Sequence, residues 1–476
     1  MARFMDPNDV LRSRALTYDP KDPGGKILFG EIDEQLVGID DNRHIMTVAG
    51  NRAGKSVTLI GNLLNYRGSA MVNDCKGELA ERTAIERAAL GQAVYVLDPF
   101  HIVRGAAAQF RARYNPMKRL TLENPYIIED ALQITDGLIV SSGSESDPHW
   151  NESAGQFIMG VILLVSLSPQ IAEPDRNLVF VGQLIKRALQ VETLPAESGD
   201  EEIRYYTLLR AAQDCEALLH EQGSGDIGIE ILDAIQGFYE KGTEERGSVL
   251  STARRHTQFL SFPSMKQVLT GHDVELEDLK RMKSGVTIYM VLPATKMNSC
   301  NRWLRLQINQ LFDAMERERE LPGVPVLLAL DEFPILGYMK QLESAAGQIA
   351  AFGLRMWVIL QDWGQGKALY KERFESFAAN AGILQFFGNT DLTTTEYVSK
   401  KLGQTLIQAT RKSETTIDQR AQGLKGELDN MQQYPLMTPD EISRTFSRED
   451  PQQRQLILWA GYRPIIMSRH EYFKRH

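Results

Sequence analysis

The fold is decided by the stretch H-I-M-T-V-A-G-N-R-A-G-K-S, residues 44 to 56. A short apolar strand runs into a Gly-rich turn, and a helical pattern begins at Ser56. In such a turn the backbone N–H groups surround phosphates, a Lys ammonium reaches the outer phosphates and a Ser hydroxyl binds Mg²⁺. The positive end of the helix dipole favours anions at the same place. The stretch therefore predicts a phosphate-binding loop for ATP and Mg²⁺.

Within this loop each residue has an expected role. Lys55 is the expected catalytic cation, and Ser56 is the expected ligand of Mg²⁺. The residues expected to contact the nucleotide are Gly50, Asn51, Arg52, Ala53, Gly54, Lys55 and Ser56. The usual pattern has Gly at the first position of the loop, where this chain has Ala49. Alanine fits there only if its φ is negative.

A second group of polar residues follows the apolar run L-L-A-L, which reads as a buried strand ending at Leu330. Ligands of open α/β sheets bind at the carboxyl ends of the strands, which is where Asp331 and Glu332 stand. We expect Asp331 to hold Mg²⁺, directly or through water. Glu332 is the expected general base that polarises the attacking water. The alternative is an acidic pair at a helix start, with no ligand.

Gln361 follows another apolar strand, M-W-V-I-L. Its amide could bond both the γ-phosphate and the attacking water, so we predict a catalytic sensor of hydrolysis. The alternative is an ordinary polar residue that ends a strand.

Strand and helix patterns alternate to about residue 120. Between about residues 140 and 265 the strand patterns fade and helical patterns dominate, and strands return from residue 286 onward. Alternation of this kind predicts an α/β fold with a mostly parallel central sheet, and the middle part predicts an inserted all-α domain. The expected domains are a first nucleotide-binding part (1–140), the all-α domain (141–265) and a second nucleotide-binding part (266–476). The polar stretch 408–430 has no apolar face and predicts a loop.

Composition narrows the functional classes. A chain of 476 residues is too long for one ordinary core. Its net charge of −9 argues against a globally basic nucleic-acid binder but allows a local basic lining. The apolar run 157–165 is far shorter than the roughly 20 residues needed to span a bilayer, and the acidic N-terminus is unlike a signal peptide. Three widely spaced cysteines suit a reducing compartment without disulfides or zinc.

Several motifs together resemble those of type IV secretion coupling proteins, the TraG/TraD-like ATPases. In order along the chain they are G-N-R-A-G-K-S (50–56), V-N-D-C-K-G-E (72–78), Y-V-L-D-P-F (95–100), D-P-H-W-N-E-S-A (147–154), L-D-E-F-P-I-L-G (330–337), G-L-R-M-W-V-I-L-Q-D (353–362), Q-F-F-G-N-T-D (385–391), P-L-M-T-P-D-E-I (435–442) and G-Y-R-P-I (461–465). The resemblance covers nearly the whole chain.

The resemblance implies a RecA-like P-loop ATPase that acts as a homo-hexamer. Such proteins hand DNA, protein effectors or a relaxase–DNA complex to the channel of the secretion system. The all-α domain would take part in substrate recognition, and an arginine from a neighbouring subunit would complete the nucleotide site. Arg355 is one candidate for that arginine, and a salt-bridged structural role is an equal alternative. Asp74 is likewise balanced between a ligand of Mg²⁺ and a structural residue.

The transmembrane pair typical of the family is not found in this sequence. The resemblance implies a location in the cytoplasm, peripheral at the inner membrane. Either the sequence is the cytosolic part of a longer protein, or the protein reaches the membrane through a separate anchoring partner. Two other functions stay open from the sequence. One is a cytosolic DNA translocase unconnected with secretion, and the other is a receptor for protein cargo in which ATP governs assembly.

Overall fold

The computed structural model describes residues 1–140, 149–195, 202–345, 347–412 and 427–473. These residues form two compact units. The first unit comprises Met1–Tyr66, Glu332–Pro334 and Arg355–His476, and the second comprises Arg67–Asp331 and Ile335–Leu354. Both units combine β-strands with helices.

The strands of the described residues are, in chain order, β1 (Ile27–Ile32), β2 (Gln35–Ile39), β3 (His44–Ala49), β4 (Ala70–Asp74), β5 (Ala93–Leu97), β6 (Val191–Pro195), β7 (Glu202–Tyr206), β8 (Val286–Val291), β9 (Val326–Leu330), β10 (Leu354–Leu360), β11 (Ala381–Phe387), β12 (Gln404–Lys412), β13 (Glu427–Pro435), β14 (Arg454–Trp459) and β15 (Ile465–Ser468). The α-helices are α1 (Pro7–Arg12), α2 (Lys55–Asn65), α3 (Glu78–Ala89), α4 (Ile127–Leu138), α5 (His149–Leu167), α6 (Leu178–Lys186), α7 (Thr207–Glu221), α8 (Gly225–Tyr239), α9 (Thr243–Thr257), α10 (Pro263–Leu269), α11 (Asp278–Arg281), α12 (Met297–Arg317), α13 (Lys340–Ala345), α14 (Trp363–Tyr370), α15 (Arg373–Ala379), α16 (Leu392–Leu402) and α17 (Pro439–Thr445).

The sheet of the first unit has the strand order β2-β1-β15-β14-β11-β3-β10. Strand β3 pairs in parallel with both β10 and β11, whereas β14, β15, β1 and β2 join by antiparallel pairing. Strands β3, β10 and β11 are buried along their whole length. Strands that are covered on both faces read as continuous apolar runs, which is why the sequence predicts them well.

A ladder of buried polar side chains crosses this sheet and fixes its register. The indole N–H of Trp357 donates to the Thr47 hydroxyl over 2.8 Å, and that hydroxyl donates to Gln385 Oε1 over 2.6 Å. Gln385 Nε2 donates to Gln455 Oε1 over 2.6 Å, and Gln455 donates to the backbone oxygen of Phe29. A slip by one residue would leave these groups buried without partners. The three parallel strands therefore end at fixed positions relative to one another.

The second unit contains a parallel sheet in the order β9-β4-β8-β5. Helices α5 to α10, residues 149 to 269, follow in what we call the helical region. The short antiparallel pair β6–β7 interrupts this region, although the sequence pattern there is only helical and polar. The boundaries of the two compact units differ from those of the three predicted domains, so the three-part division stays a prediction.

Helix α5 is the centre of the helical region. It is buried over most of its length, and Phe157 stacks on Phe238 of α8 with ring centroids 4.2 Å apart. Among the described residues no helix combines the length and the apolar character needed to cross a membrane.

A buried cluster of polar groups joins α5, α9 and α12, and we call it the polar junction: Asn151, His256 and Arg302. An Arg guanidinium can only donate, so its contact with His256 Nδ1 at 3.4 Å makes that nitrogen an acceptor. The proton is therefore on Nε2, which donates to Asn151 Oδ1 over 3.1 Å. His256 is 1% exposed, and burial lowers its pKa to about 3. The junction thus holds a neutral histidine.

Two minor predictions meet the structure differently. The polar stretch 408–430 was expected to be a loop, but its ends belong to β12 and β13, which pair in antiparallel fashion. A two-stranded ladder needs only backbone hydrogen bonds, so the lack of an apolar face did not prevent it. Residues 413–426 lie outside the described residues. Cys75, Cys215 and Cys300 are buried, and no disulfide joins any of them to another described cysteine.

Candidate nucleotide-binding site

The predicted phosphate-binding loop lies at the end of β3, where its neighbour β11 also ends. The Gly50 N–H donates to the backbone oxygen of Phe387 over 3.2 Å. A Cβ atom on Gly50 would lie 1.9 Å from the backbone oxygen of Gly388, so only glycine fits there. Gly388 has a φ of +66°, and a Cβ on it would meet Ala53 at 2.4 Å. The loop is therefore a tight cradle that two glycines make possible.

Ala49, which departs from the usual motif, causes no conflict in this cradle. It is the last residue of β3 and is not among the residues with positive φ. Its methyl group packs in a small apolar cluster with Ala53 and Phe387. Ala49 therefore meets the condition for an alanine at this position, which is a φ that is not positive.

Helix α2 begins at Lys55, directly after Gly54, which has a φ of +97°. Gly54 offers no side chain to cap the first turn, and that turn carries no acidic residue. The amide groups and the helix dipole at this end of α2 therefore favour an anion. Lys55 and Ser56 are both half-buried at this helix start.

The structure brings Glu332 and Gln361 into contact, which their separate predicted roles did not include. Gln361 Nε2 donates to Glu332 Oε1 over 2.6 Å. Gln365 Oε1 accepts from the Gln361 backbone N–H over 3.0 Å, and Asn389 Nδ2 donates to the Gln361 backbone oxygen over 3.3 Å. Glu332 has a φ of +63°, a strained value for a residue with a Cβ atom. A carboxylate is thus held by its partners in one orientation.

Asp331 belongs to the second unit. Its backbone oxygen accepts from Asn73 Nδ2 over 2.9 Å and from the Cys75 thiol over 3.5 Å. Asp74 is nearby, and its carboxylate accepts from the backbone N–H groups of Ala80 and Lys76 over 2.9 and 3.1 Å. These bonds favour the structural alternative for Asp74. Burial raises the pKa of Asp74 to about 6, and the negative charge of Asp331 acts in the same direction.

A cavity of about 450 Å³ opens at what we call the carboxyl edge, the place where β3, β10 and β11 end. Its walls come from the three loops that follow these strands and from the segment after α17. The lining residues are Gly50, Asn51, Gln361, Asp362, Gly388, Asn389, Thr390, Asp391, Arg448 and Glu449. A smaller cavity of about 150 Å³, with Arg52, Gly54, Thr58, Arg448 and Arg469 among its lining residues, adjoins the start of α2.

Two of these residues received no role from their sequence alone. Asn389 is 4% exposed, and its Oδ1 is one of the buried acceptors without a hydrogen-bond partner among the described residues. Arg448 lines both cavities and adds positive charge. Asn389 follows β11, so the rule that pointed to Gln361 could have found it. No sequence signal marks Arg448, because it comes from an irregular segment more than 50 residues after β11.

The residues around the loop fit a nucleotide and Mg²⁺. A cradle closed to any Cβ, an uncapped helix start and the guanidinium groups of Arg52 and Arg448 match the phosphates. Ser56 would supply an oxygen ligand of the kind that Mg²⁺ prefers.

Arg355 has a structural role in the first unit. Its side chain is fully buried, and it donates to the backbone oxygen of Gly25 over 2.7 Å and to Asp40 Oδ1 over 2.9 Å. The structure therefore favours the salt-bridged alternative over the arginine that reaches a neighbouring subunit.

Comparison with known proteins places the chain in a family. The family model for conjugative DNA transfer of the type IV secretory system matches residues 16–476. The chain is 25% identical over 467 residues to the conjugal transfer protein TraG of Escherichia coli, covering 90% of this chain and 67% of TraG. It is 26% identical over 437 residues to the protein VirD4 of Rhizobium radiobacter, covering 90% of this chain and 57% of VirD4.

A solved structure shares the fold. The plasmid coupling protein TrwB in complex with ADP and Mg²⁺ has a TM-score of 0.66 and 13% identity, covering 99% of this chain and 94% of TrwB. This likeness confirms the predicted α/β fold with a mostly parallel central sheet. Because the family model extends over nearly the whole sequence, this chain belongs to the conjugative DNA-transfer family of type IV secretory systems.

Proposed function

We propose that this chain is an ATP-dependent coupling protein that recruits DNA or protein substrates and delivers them to a type IV secretion channel. The carboxyl edge of the first unit carries this proposal. There the phosphate-binding cradle at Gly50 follows β3 and Gln361 follows β10, and Gln361 bonds Glu332 over 2.6 Å. Membership of the conjugative DNA-transfer family and the ADP and Mg²⁺ bound by TrwB support the same function.

Hydrolysis of ATP would use these side chains in separate roles. The loop amides and Lys55 would bind the phosphates and neutralise the charge that develops on them. Glu332 would accept a proton from the attacking water, while Gln361 keeps the carboxylate oriented through its bond to Oε1. Ser56 and Asp331 would hold Mg²⁺, which supplies further positive charge beside the phosphates.

The partners of the motor follow from the same proposal. The helical region would contact the substrate, either DNA or a protein such as a relaxase or an effector, and the all-α domain keeps its predicted bounds of 141–265. The active form would be a homo-hexamer whose nucleotide sites lie between subunits. It would work at the cytoplasmic face of the inner membrane, next to the channel components, and a separate membrane-anchoring partner would hold it there.

Turnover of ATP by the purified chain tests this proposal. Hydrolysis is measured across protein concentrations, with and without single- and double-stranded DNA, beside Lys55→Ala. We expect turnover that rises with assembly, is stimulated by DNA and is lost in Lys55→Ala. A turnover that Lys55→Ala leaves unchanged would contradict the proposed site. Nucleotide binding with DNA-independent turnover would favour a receptor for protein cargo.

A further inference from the structure

Arg469 is a buried cation at the phosphate-binding loop that the mechanism above does not use. It directly follows β15, close to the end of the described residues, and is 9% exposed. Burying a guanidinium raises the free energy of the folded state unless its donors are hydrogen-bonded. The partners of Arg469 therefore indicate its role. Among the described residues its hydrogen bonds go to backbone oxygens and its guanidinium lies near an aromatic ring, while the carboxylates of Glu471 and Asp450 act on it through their charge.

The principal partner is the loop itself. Arg469 Nη1 donates to the backbone oxygen of Ala53. Its Nε donates to the backbone oxygen of Gln453 over 3.2 Å, and its guanidinium carbon lies 4.8 Å from the centroid of the Phe387 ring. Phe387 in turn packs on Ala53. The arginine therefore holds the phosphate-binding loop against β11, whose last residue is Phe387, and against the C-terminal segment.

This contact determines the direction of one amide group. The oxygen of Ala53 and the N–H of Gly54 belong to the same planar trans peptide and point in opposite directions. With the oxygen held towards Arg469, the Gly54 N–H faces away from Arg469. Gly54 has a φ of +97° and no Cβ, so its own conformation resists a flip of this peptide only weakly. The orientation has to be held from outside the loop.

We propose that Arg469 is a positioning residue for nucleotide binding, because it prevents the Ala53–Gly54 peptide from presenting its oxygen to the phosphates. A flipped peptide would replace an N–H donor by a carbonyl oxygen, which repels a phosphate. This inference rests on the proposed function, since it assumes that the loop binds a nucleoside di- or triphosphate. It assigns to the C-terminal segment a part in forming the site.

The test compares Arg469→Met with Arg454→Met. Arg454 is a matched control, because it is a partly buried arginine of the same segment whose partner is Asp450, over 2.9 Å. The binding of ADP with Mg²⁺ is measured by titration calorimetry, and the melting temperature of each variant is measured without nucleotide. We expect the dissociation constant to rise at least tenfold in Arg469→Met and less than twofold in Arg454→Met. Arg469→Lys, which can still donate to Ala53, is expected to bind within threefold of wild type.

A structural role alone would give a different pattern. If Arg469→Met lowers the melting temperature but binds ADP as wild type does, the inference is wrong. Should that variant not fold, Phe387→Leu, which removes the ring under the guanidinium, is expected to weaken binding about threefold, and unchanged binding would overturn the inference. A wild-type chain that binds no ADP, or Lys55→Ala binding ADP as tightly as wild type, would refute the proposed function itself.

Discussion

Two regions of this chain concentrate polar side chains inside the fold, and they use them in opposite ways. At the carboxyl edge of the first unit, Gln361 and Asn389 line a cavity of about 450 Å³, and Asn389 Oδ1 is left without a partner among the described residues. At the polar junction of the second unit, His256 has both ring nitrogens bonded and is almost fully buried. Polar side chains therefore face a cavity at the carboxyl edge, whereas at the polar junction they bond one another.

The difference shows that a polar residue in the interior indicates a ligand site only when it borders open space. Bonds within the carboxyl edge orient groups towards the cavity, whereas bonds within the polar junction hold helices together. Substitutions at the edge should therefore change nucleotide chemistry more than stability. Substitutions at the junction should change stability more than nucleotide chemistry.

The largest expected effect is at the edge, in Glu332→Gln. Loss of the general base should lower the rate of ATP hydrolysis by about 10² to 10⁴-fold while the nucleotide still binds, since charge and not shape is removed. Hydrolysis rate and nucleotide affinity are measured in parallel. Glu375→Gln, at an exposed glutamate 3.8 Å from Lys367, is the control. A Glu332→Gln chain that hydrolyses ATP at the wild-type rate would remove Glu332 from the mechanism.

Gly50→Ala tests the tightness of the cradle. The added Cβ would lie 1.9 Å from the Gly388 oxygen, and backbone must move to accept it. Overpacking of this kind costs about 1–3 kcal/mol, and we expect both the free energy of unfolding and the affinity for ATP to fall. Chemical denaturation and calorimetry measure the two quantities. An alanine variant as stable and as tightly binding as wild type would show that the loop is not closed against β11.

At the polar junction we expect a pH dependence of stability. The pKa of His256 is lowered by burial from its ordinary value near 6.5 to about 3, so the unfolded chain takes up a proton first as the pH falls. The free energy of unfolding is therefore highest above pH 6.5, where the ring is neutral in both states, and falls between pH 6.5 and 3. At pH 5 the expected loss is about 2 kcal/mol. Denaturation curves at pH 7.5 and 5 should show this loss in wild type and much less of it in His256→Gln.

The control for that experiment is the exposed His220 of α7, where His220→Gln should leave the pH dependence as in wild type. If His256→Gln and wild type lose the same stability on acidification, the histidine is not held neutral by the junction.

The smallest expected effect is Gly237→Ala in helix α8, the counterpart of Gly50→Ala in the helical region. A Cβ on Gly237 meets no atom within 4 Å, and its φ is not positive. Removing a glycine from a helix interior should stabilise the chain by about 0.5–1 kcal/mol. Denaturation should show this gain, with ATP affinity unchanged. A lower free energy of unfolding in Gly237→Ala would contradict the expectation that α8 accepts a Cβ at this position.

The sequence predicts the parallel strands well, because their burial on both faces leaves continuous apolar runs such as M-W-V-I-L before Gln361. It also predicts the family and the position of Gln361 and Glu332 after apolar strands, whereas the hydrogen bond between these two side chains is seen only in the structure. It misses β6 and β7, whose pairing depends on backbone hydrogen bonds more than on an apolar pattern. The pairing of β12 with β13 escapes it for the same reason.

The contributions of Arg448 and Arg469 could not be predicted, since nothing in their neighbourhood marks them and only the fold brings them to the loop. Arg355 illustrates the converse. Its sequence left two roles equally open, an arginine that completes a neighbouring site and a salt-bridged structural residue, and the structure shows its bonds to Asp40 and Gly25. The roles of Lys55, Ser56, Asp331, Glu332 and Gln361 remain predictions until nucleotide is bound.

The most direct test of the central claim, that the carboxyl edge of the first unit binds nucleotide, is calorimetric titration of the full chain with a non-hydrolysable ATP analogue and Mg²⁺. Wild type and Lys55→Ala are measured side by side, with their melting temperatures as a check of folding. We expect saturable binding by wild type and at least a tenfold weaker affinity in a folded Lys55→Ala. Equal affinities in the two chains would contradict the claim.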